Sequence, residues 1–184
     1  MANRVDQKGA AEWLHWAAAE QTSMTLNQRV AAIYEEFRMD VYRYTLTLGL
    51  PPHVAQDITQ DCFVRLYETL HKGAAIQNVR AWLLRVAHNL ALNAISAKSF
   101  RTADLSETSA ATTRTIEDRL ITEEQRSRLH AEIARLSTQQ RGCLELRAQG
   151  MRYREIAEIM GISTSAVGEF LRRAISKLRE ALDE

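Results

Sequence analysis

Apolar residues return at three- and four-residue steps through most of the chain, the spacing that gathers them on one side of an α-helix. Val30, Ile33, Tyr34, Phe37, Val41, Tyr44 and Leu48 mark a long helix that starts at about Leu26 and ends at Gly49. Pro51 and Pro52 break the chain there, and a proline at a first helical position opens the next helix, where Val54, Ile58, Cys62, Leu66 and Leu70 fall every fourth residue. After the loop HKGAAIQ, Asn78 is placed to cap a third helix, whose broad apolar face carries Trp82, Leu83, Val86, Ala87, Leu90, Ala94 and Ile95. Three such helices are expected to bury their stripes against one another as a bundle.

The period is lost at about Ser99. Residues 99 to 116, SFRTADLSETSAATTRTI, are rich in serine, threonine and alanine and hold few large apolar groups, so a flexible linker is expected. Patterning resumes near Glu117 and runs through Leu120, Leu129, Ile133 and Leu136 to Ser137. Ser137 and Gln140 form a capping box for a helix over 138 to 149, closed by Gly150. Residues 1 to 25 are an alanine-rich leader, with Trp13, Leu14 and Trp16 on a short helix and no readable function. The pattern predicts an all-α chain of two small helical domains, 26 to 98 and 117 to 184, which the linker leaves free to move relative to each other.

The stretch YREIAEIMGISTSAVGEF, residues 153 to 170, is the most specific local signal. Ile156, Ala157, Ile159 and Met160 form the buried side of a short helix from about Arg152. Ala157 has to be small where a second helix crosses it, and Gly161 supplies the left-handed cap that a Cβ would oppose. Ser163 caps the second helix, which Val167, Leu171, Ala174, Leu178 and Leu182 carry to about Leu182. The product is a helix-turn-helix whose second helix presents Ser165, Gly168, Glu169, Arg172, Arg173 and Ser176 to a major groove. An ordinary helical hairpin in an all-α core is the plainer alternative.

Charge changes this picture. The chain has 24 basic and 23 acidic side chains, and no segment is strongly basic, whereas a protein that finds DNA unaided neutralises phosphates with a clear cationic excess. A larger partner is therefore expected to supply affinity. No run approaches the roughly 20 apolar residues of a membrane span, and no basic start precedes an apolar segment, so neither membrane insertion nor secretion is expected and the protein is placed in the cytoplasm. Cys62 and Cys143 each fall within an apolar helical pattern and read as buried thiols. His15, His53, His71, His88 and His130 show neither metal spacing nor a nucleophile partner, so no cofactor, metal or catalytic constellation is expected.

Three stretches, AQDITQDCFVRLYETL (55 to 70), NVRAWLLRVAHNLALN (78 to 93) and LSTQQRGCLELRAQGMRYREIAEIMGISTSAVGEFLRRAISKLREAL (136 to 182), make the chain resemble an extracytoplasmic-function sigma factor, the bacterial initiation factor reduced to regions 2 and 4. The resemblance implies a non-enzymatic protein that binds core RNA polymerase and promoter DNA and has an anti-sigma partner. It places region 2 in residues 26 to 98 and region 4 in 117 to 184. By resemblance, Asp57, Gln60, Asp61 and Arg65 meet the polymerase clamp, although any amphipathic helix has such a solvated face. Lys72, Asn78, Arg80, Arg85, His88, Asn89 and Asn93 fall where the family captures the unpaired −10 strand. Trp82 lies in the apolar stripe and reads as core. Arg152, Tyr153, Arg154, Ser165, Gly168, Glu169, Arg172, Arg173 and Lys177 fall where it reads the −35 duplex, with Glu169 open to accepting from cytosine or to repelling phosphate. Asn93, Gly168, Phe170 and Ile175 depart from the usual family residues. A helix-turn-helix regulator, or a sigma-like adaptor or decoy without productive promoter binding, are the alternatives.

Overall fold

The helices begin either at side-chain caps that accept from free N–H groups or at a proline that has no N–H to satisfy. In the computed structural model, which describes residues 25–101, 129 and 131–183, Thr25 and Gln28 form a reciprocal capping box that opens α1, Leu26–Thr47. Pro52 stands at the first position of α2, Pro52–His71, and the Asn78 side chain accepts from the Ala81 N–H at 3.0 Å to start α3, Val79–Arg101. The Ser137–Gln140 capping box is present in both directions and opens α4, Thr138–Ala148. Glu155 reaches back to the Arg152 N–H at 2.8 Å to open α5, Tyr153–Met160. Gly161 follows with φ +67°, and Ser163 accepts from the Ala166 N–H at 3.1 Å at the start of α6, Thr164–Asp183. Residues 131–135 are helical as the pattern predicts. The leader with Trp13 and Trp16, and the linker from 102 onwards with residues 117–128, lie outside the described residues.

Helices α1, α2 and α3 pack pairwise as one unit, and α4, α5 and α6 as a second. In the first, Val41, Tyr44, Ile58, Cys62, Leu66, Leu83, Leu84 and Ala87 are buried, with Tyr34 edge-on to Phe63 at 4.9 Å. In the second, Leu146, Ile156, Ile159, Val167 and Leu171 are buried. Cys62 and Cys143 are free and fully buried, and burial pushes their thiols up to about 12 and about 11. Both stay protonated at neutral pH, as expected of packing thiols.

The two units share one continuous core, because α1 packs on α4 and α3 packs on α5. Gly142 lies at the seam: a Cβ there would lie 3.2 Å from Leu48 Cδ2 and 3.5 Å from the Tyr44 hydroxyl of the first unit, and 3.2 Å from Met160 Cε of its own. Polar groups close its edges, with Arg141 Nη2 donating to the Leu48 carbonyl at 3.4 Å and Gln149 Nε2 to the Asp40 carbonyl at 3.3 Å.

Beside this seam Tyr44 and His88 share a buried hydrogen bond of 2.8 Å between the hydroxyl and Nδ1. Burial lowers the His88 pKa from its ordinary value, since a charged ring would lose its hydration. Unfolding then exposes a ring that protonates more readily, so stability is full above about pH 6.5 and falls below it by up to about 1.4 kcal/mol per pH unit. Urea titrations between pH 7.5 and 5.5 should show this decline, and His88→Gln should flatten it.

Candidate nucleic-acid interface

Among the described residues, one face of α2 is left without a partner. Ala55, Ile58, Thr59, Cys62 and Leu66 point into the bundle, which turns Asp57, Gln60, Asp61 and Arg65 outward, all exposed. The same strip continues through Val64 and Tyr67, 57% and 38% exposed, with the Tyr67 ring stacked on His71 at 5.9 Å. Reading by polarity passed over these two; their position outside the Ile58, Cys62, Leu66 stripe was the available signal. An apolar pair beside three carboxyl and amide groups suits a protein surface better than a phosphate backbone.

Around the start of α3 the expected strand contacts separate into three kinds. Lys72, Asn89 and Asn93 are exposed. Asn78 and Arg85 face the second unit: Asn78 Nδ2 donates to Glu155 at 3.5 Å, and Arg85 lies 3.8 Å from Glu158. Arg80 and His88 are committed elsewhere. Arg80 is held by Asp40 of α1 at 2.7 and 2.8 Å, half-buried, and His88, only 4% exposed, meets Tyr44 rather than solvent. These two side chains support the α1–α3 packing. Trp82 packs partly buried against the core.

The helix-turn-helix presents a connected surface. Arg152 and Arg154 are exposed where α5 begins, a place suited to phosphate. Tyr153 is 45% exposed and sits between the Arg147 guanidinium, 5.8 Å above its ring, and Gly168, where a Cβ would lie 3.8 Å from its Cε2. Ser165 is bonded to Ser163 at 2.9 Å, and Lys177 is exposed further along α6. The Glu169 side chain is paired within its own helix. Its carboxylate accepts from Arg172 at 2.8 Å and from Arg173 at 2.6 Å, and these hydrogen bonds hold its pKa below the usual carboxylate range. One carboxylate thus orders the adjacent Arg172 and Arg173 of the recognition helix.

This geometry matches a known pattern in two places. Residues 33–101 match Sigma-70 region 2, and residues 126–178 match Sigma-70, region 4. The chain belongs to the extracytoplasmic-function class of the sigma-70 family. It is 28% identical over 153 residues to the RNA polymerase sigma factor YlaC of Bacillus subtilis, covering 80% of this chain and 88% of that one. It is 22% identical to the ECF RNA polymerase sigma factor SigK of Mycolicibacterium vanbaalenii over 95% of both chains. Among solved structures, the fold is shared with the sigma factor RpoE in its complex with the anti-sigma factor NepR from Bartonella quintana. The TM-score is 0.68 at 19% identity, over 83% of this chain and 96% of that one. CnrH, in complex with the cytosolic domain of CnrY, aligns with a TM-score of 0.58 at 24% identity, over 90% of this chain and 94% of that one. This chain is therefore a sigma factor for transcription initiation, with its region 2 in α1 to α3 and its helix-turn-helix in region 4. Among the described residues, no helix is long and apolar enough to cross a membrane.

Proposed function

We propose that this sigma factor docks on core RNA polymerase through the outer strip of α2, captures the melted −10 strand at the start of α3, and reads the −35 duplex with α6. The observation that carries the reading is the exposed strip Asp57, Gln60, Asp61, Val64 and Tyr67 on a helix whose other face is fully used in the core. The near-neutral charge agrees with it: polymerase brings both DNA-reading surfaces to the promoter, and two weak sites joined through one partner reinforce each other without further contacts. The strand would meet Lys72, Asn78, Arg85, Asn89 and Asn93. The duplex would meet Arg152, Tyr153, Arg154, Ser165, Gly168, Arg172, Arg173 and Lys177. No step requires a cofactor or catalysis by this chain, and an anti-sigma factor is a further partner, by analogy with the solved sigma factor RpoE, which is held by one.

In vitro transcription tests the whole reading. Core polymerase supplied with this protein and a randomised promoter library should enrich templates sharing two spaced elements, and polymerase alone should not. Binding to polymerase without any promoter selection would instead identify an adaptor or decoy.

The arginine pair of α6 yields a separate expectation. Arg173→Ala should weaken −35 duplex binding by about 1 to 3 kcal/mol and relax selection at one position. Glu169→Gln should free both guanidiniums from their carboxylate, tighten binding to unrelated duplex and steepen its salt dependence by about one unit of log–log slope per new phosphate contact. Anisotropy titrations across a salt series separate the two effects.

A further inference from the structure

We infer that the groove between α1 and α2 is the seat of the chain's own leader, which enters it with Trp13 and Trp16. The groove holds about 450 Å³ and is walled by Val30, Ala31 and Tyr34 of α1 and by Phe63 and Tyr67 of α2. That volume lies within the roughly 300 to 1,000 Å³ of clefts that take apolar ligands. The helices of the bundle leave it open: Val30 and Tyr34 are half-buried, and Ala31 and Tyr67 are exposed. Its one charged lining group, Glu35, is paired with Arg38 at 3.3 Å, so the groove does not call for a charged occupant. Walls of aliphatic and aromatic groups gain most from a large flat ring, and a tryptophan brings roughly 150 to 250 Å² to be buried.

The position of the groove selects the occupant. Asn27 lines its end, beside Thr25, whose capping box fixes where the chain enters α1. Residues 1–24 come before that point, and they carry Trp13 and Trp16, two of the three tryptophans of the chain. On the short helix that the pattern predicts for this segment, Trp13, Trp16 and Ala17 share one face. Residues 17–25 can span up to about 30 Å. The groove follows α1 from Asn27 to Glu35, only about 12 Å of helix, so the tether reaches all of it. A leader so tethered meets the groove at millimolar effective concentration, which a second copy in dilute solution does not match. Tyr67 also belongs to the outer strip of α2, so a seated leader and polymerase contend for the same ring. This consequence rests on the polymerase-docking reading above, and the seat itself does not.

Acrylamide quenching of tryptophan fluorescence in the full chain tests the seat, with Trp82 of α3 as a background common to the variants. Ala31→Lys sets a charge in the groove at an exposed helical position, where lysine costs the fold little. Its quenching constant should exceed that of the unaltered chain at least about twofold as the seated population empties, with helicity unchanged. In a chain that also carries Trp13→Ala and Trp16→Ala, Ala31→Lys should have no effect on quenching. Equal quenching with and without Ala31→Lys overturns the inference, as does an effect that persists without Trp13 and Trp16. Shielding that fades on dilution also overturns it, since the occupant is then a second copy of the chain. Binding to core polymerase tests the contention at Tyr67. A leader seated about 70 to 90% of the time lowers apparent affinity about three- to tenfold, so Trp13→Ala with Trp16→Ala should bind that much more tightly. Equal affinity of the two chains overturns the contention. Failure of both to bind polymerase would overturn the docking reading instead, and the quenching result would still decide the seat.

Discussion

Reversing Asp57 and Asp61 to lysine should reduce affinity for core polymerase by about a hundredfold or more and leave helicity and unfolding midpoint nearly unchanged. Both side chains are exposed on α2, one turn apart, while the core contacts of that helix are made by Ile58, Cys62 and Leu66. Lysine is a good helix former, and the new like-charge neighbour Arg65, four residues beyond position 61, costs only about 0.3 to 0.5 kcal/mol at an exposed site. The fold therefore has little reason to respond. A partner surface arranged to receive carboxylates has every reason to, because each reversal replaces an attraction with a repulsion across a desolvated contact. Pull-down of core polymerase by the double variant, with circular dichroism as the control for folding, decides the point. Undiminished capture would remove the outer strip of α2 from the polymerase interface, and a parallel loss of helicity would mean that the strip supports the bundle.

Leu146→Ala should destabilise the whole protein by about 2 to 5 kcal/mol, the cost of emptying a fully buried leucine site. Leu146 lies on α4 at 0% exposure, in the same continuous core as Leu48, Leu66 and Leu83 of the first unit. If that core unfolds as one cooperative body, amide protection in α2 and α3 should fall together with protection in α5 and α6, although the substitution touches only the second unit. Hydrogen exchange read helix by helix shows this directly. Loss of protection confined to α4, α5 and α6 would mean that the seam at Gly142 adds no cooperativity, and the two units would then behave as the independent domains expected from the linker composition.

The contrast between those expectations shows where local sequence stopped being informative. Helices α1 to α6 were legible because their limits are set within a few residues: Ser137 with Gln140, Asn78 before Val79, Pro52 at a first turn, and Gly161 where only a left-handed residue closes the turn. The outward strip Asp57, Gln60 and Asp61 was legible for the same reason, since a helix with a regular apolar stripe determines its other face. The seam was not. Gly142 in the middle of a helix reads only as a propensity penalty until α1 and Met160 are brought against it, and Arg80 reads as a free cation until a residue forty positions earlier, Asp40, is folded beside it. His88 follows Leu84 by four residues, so its place on the inner face was written in the pattern, but only the arrival of Tyr44 provides the hydrogen bond that lets an imidazole stay there. Glu155 and Glu158 looked like solvated helix residues, and their meeting with Asn78 and Arg85 exists only across the packed units. Caps and periodicity act over one or two helical turns and are carried by the sequence itself. Which polar groups become partners depends on distances between helices, and those are settled by the packing of the core.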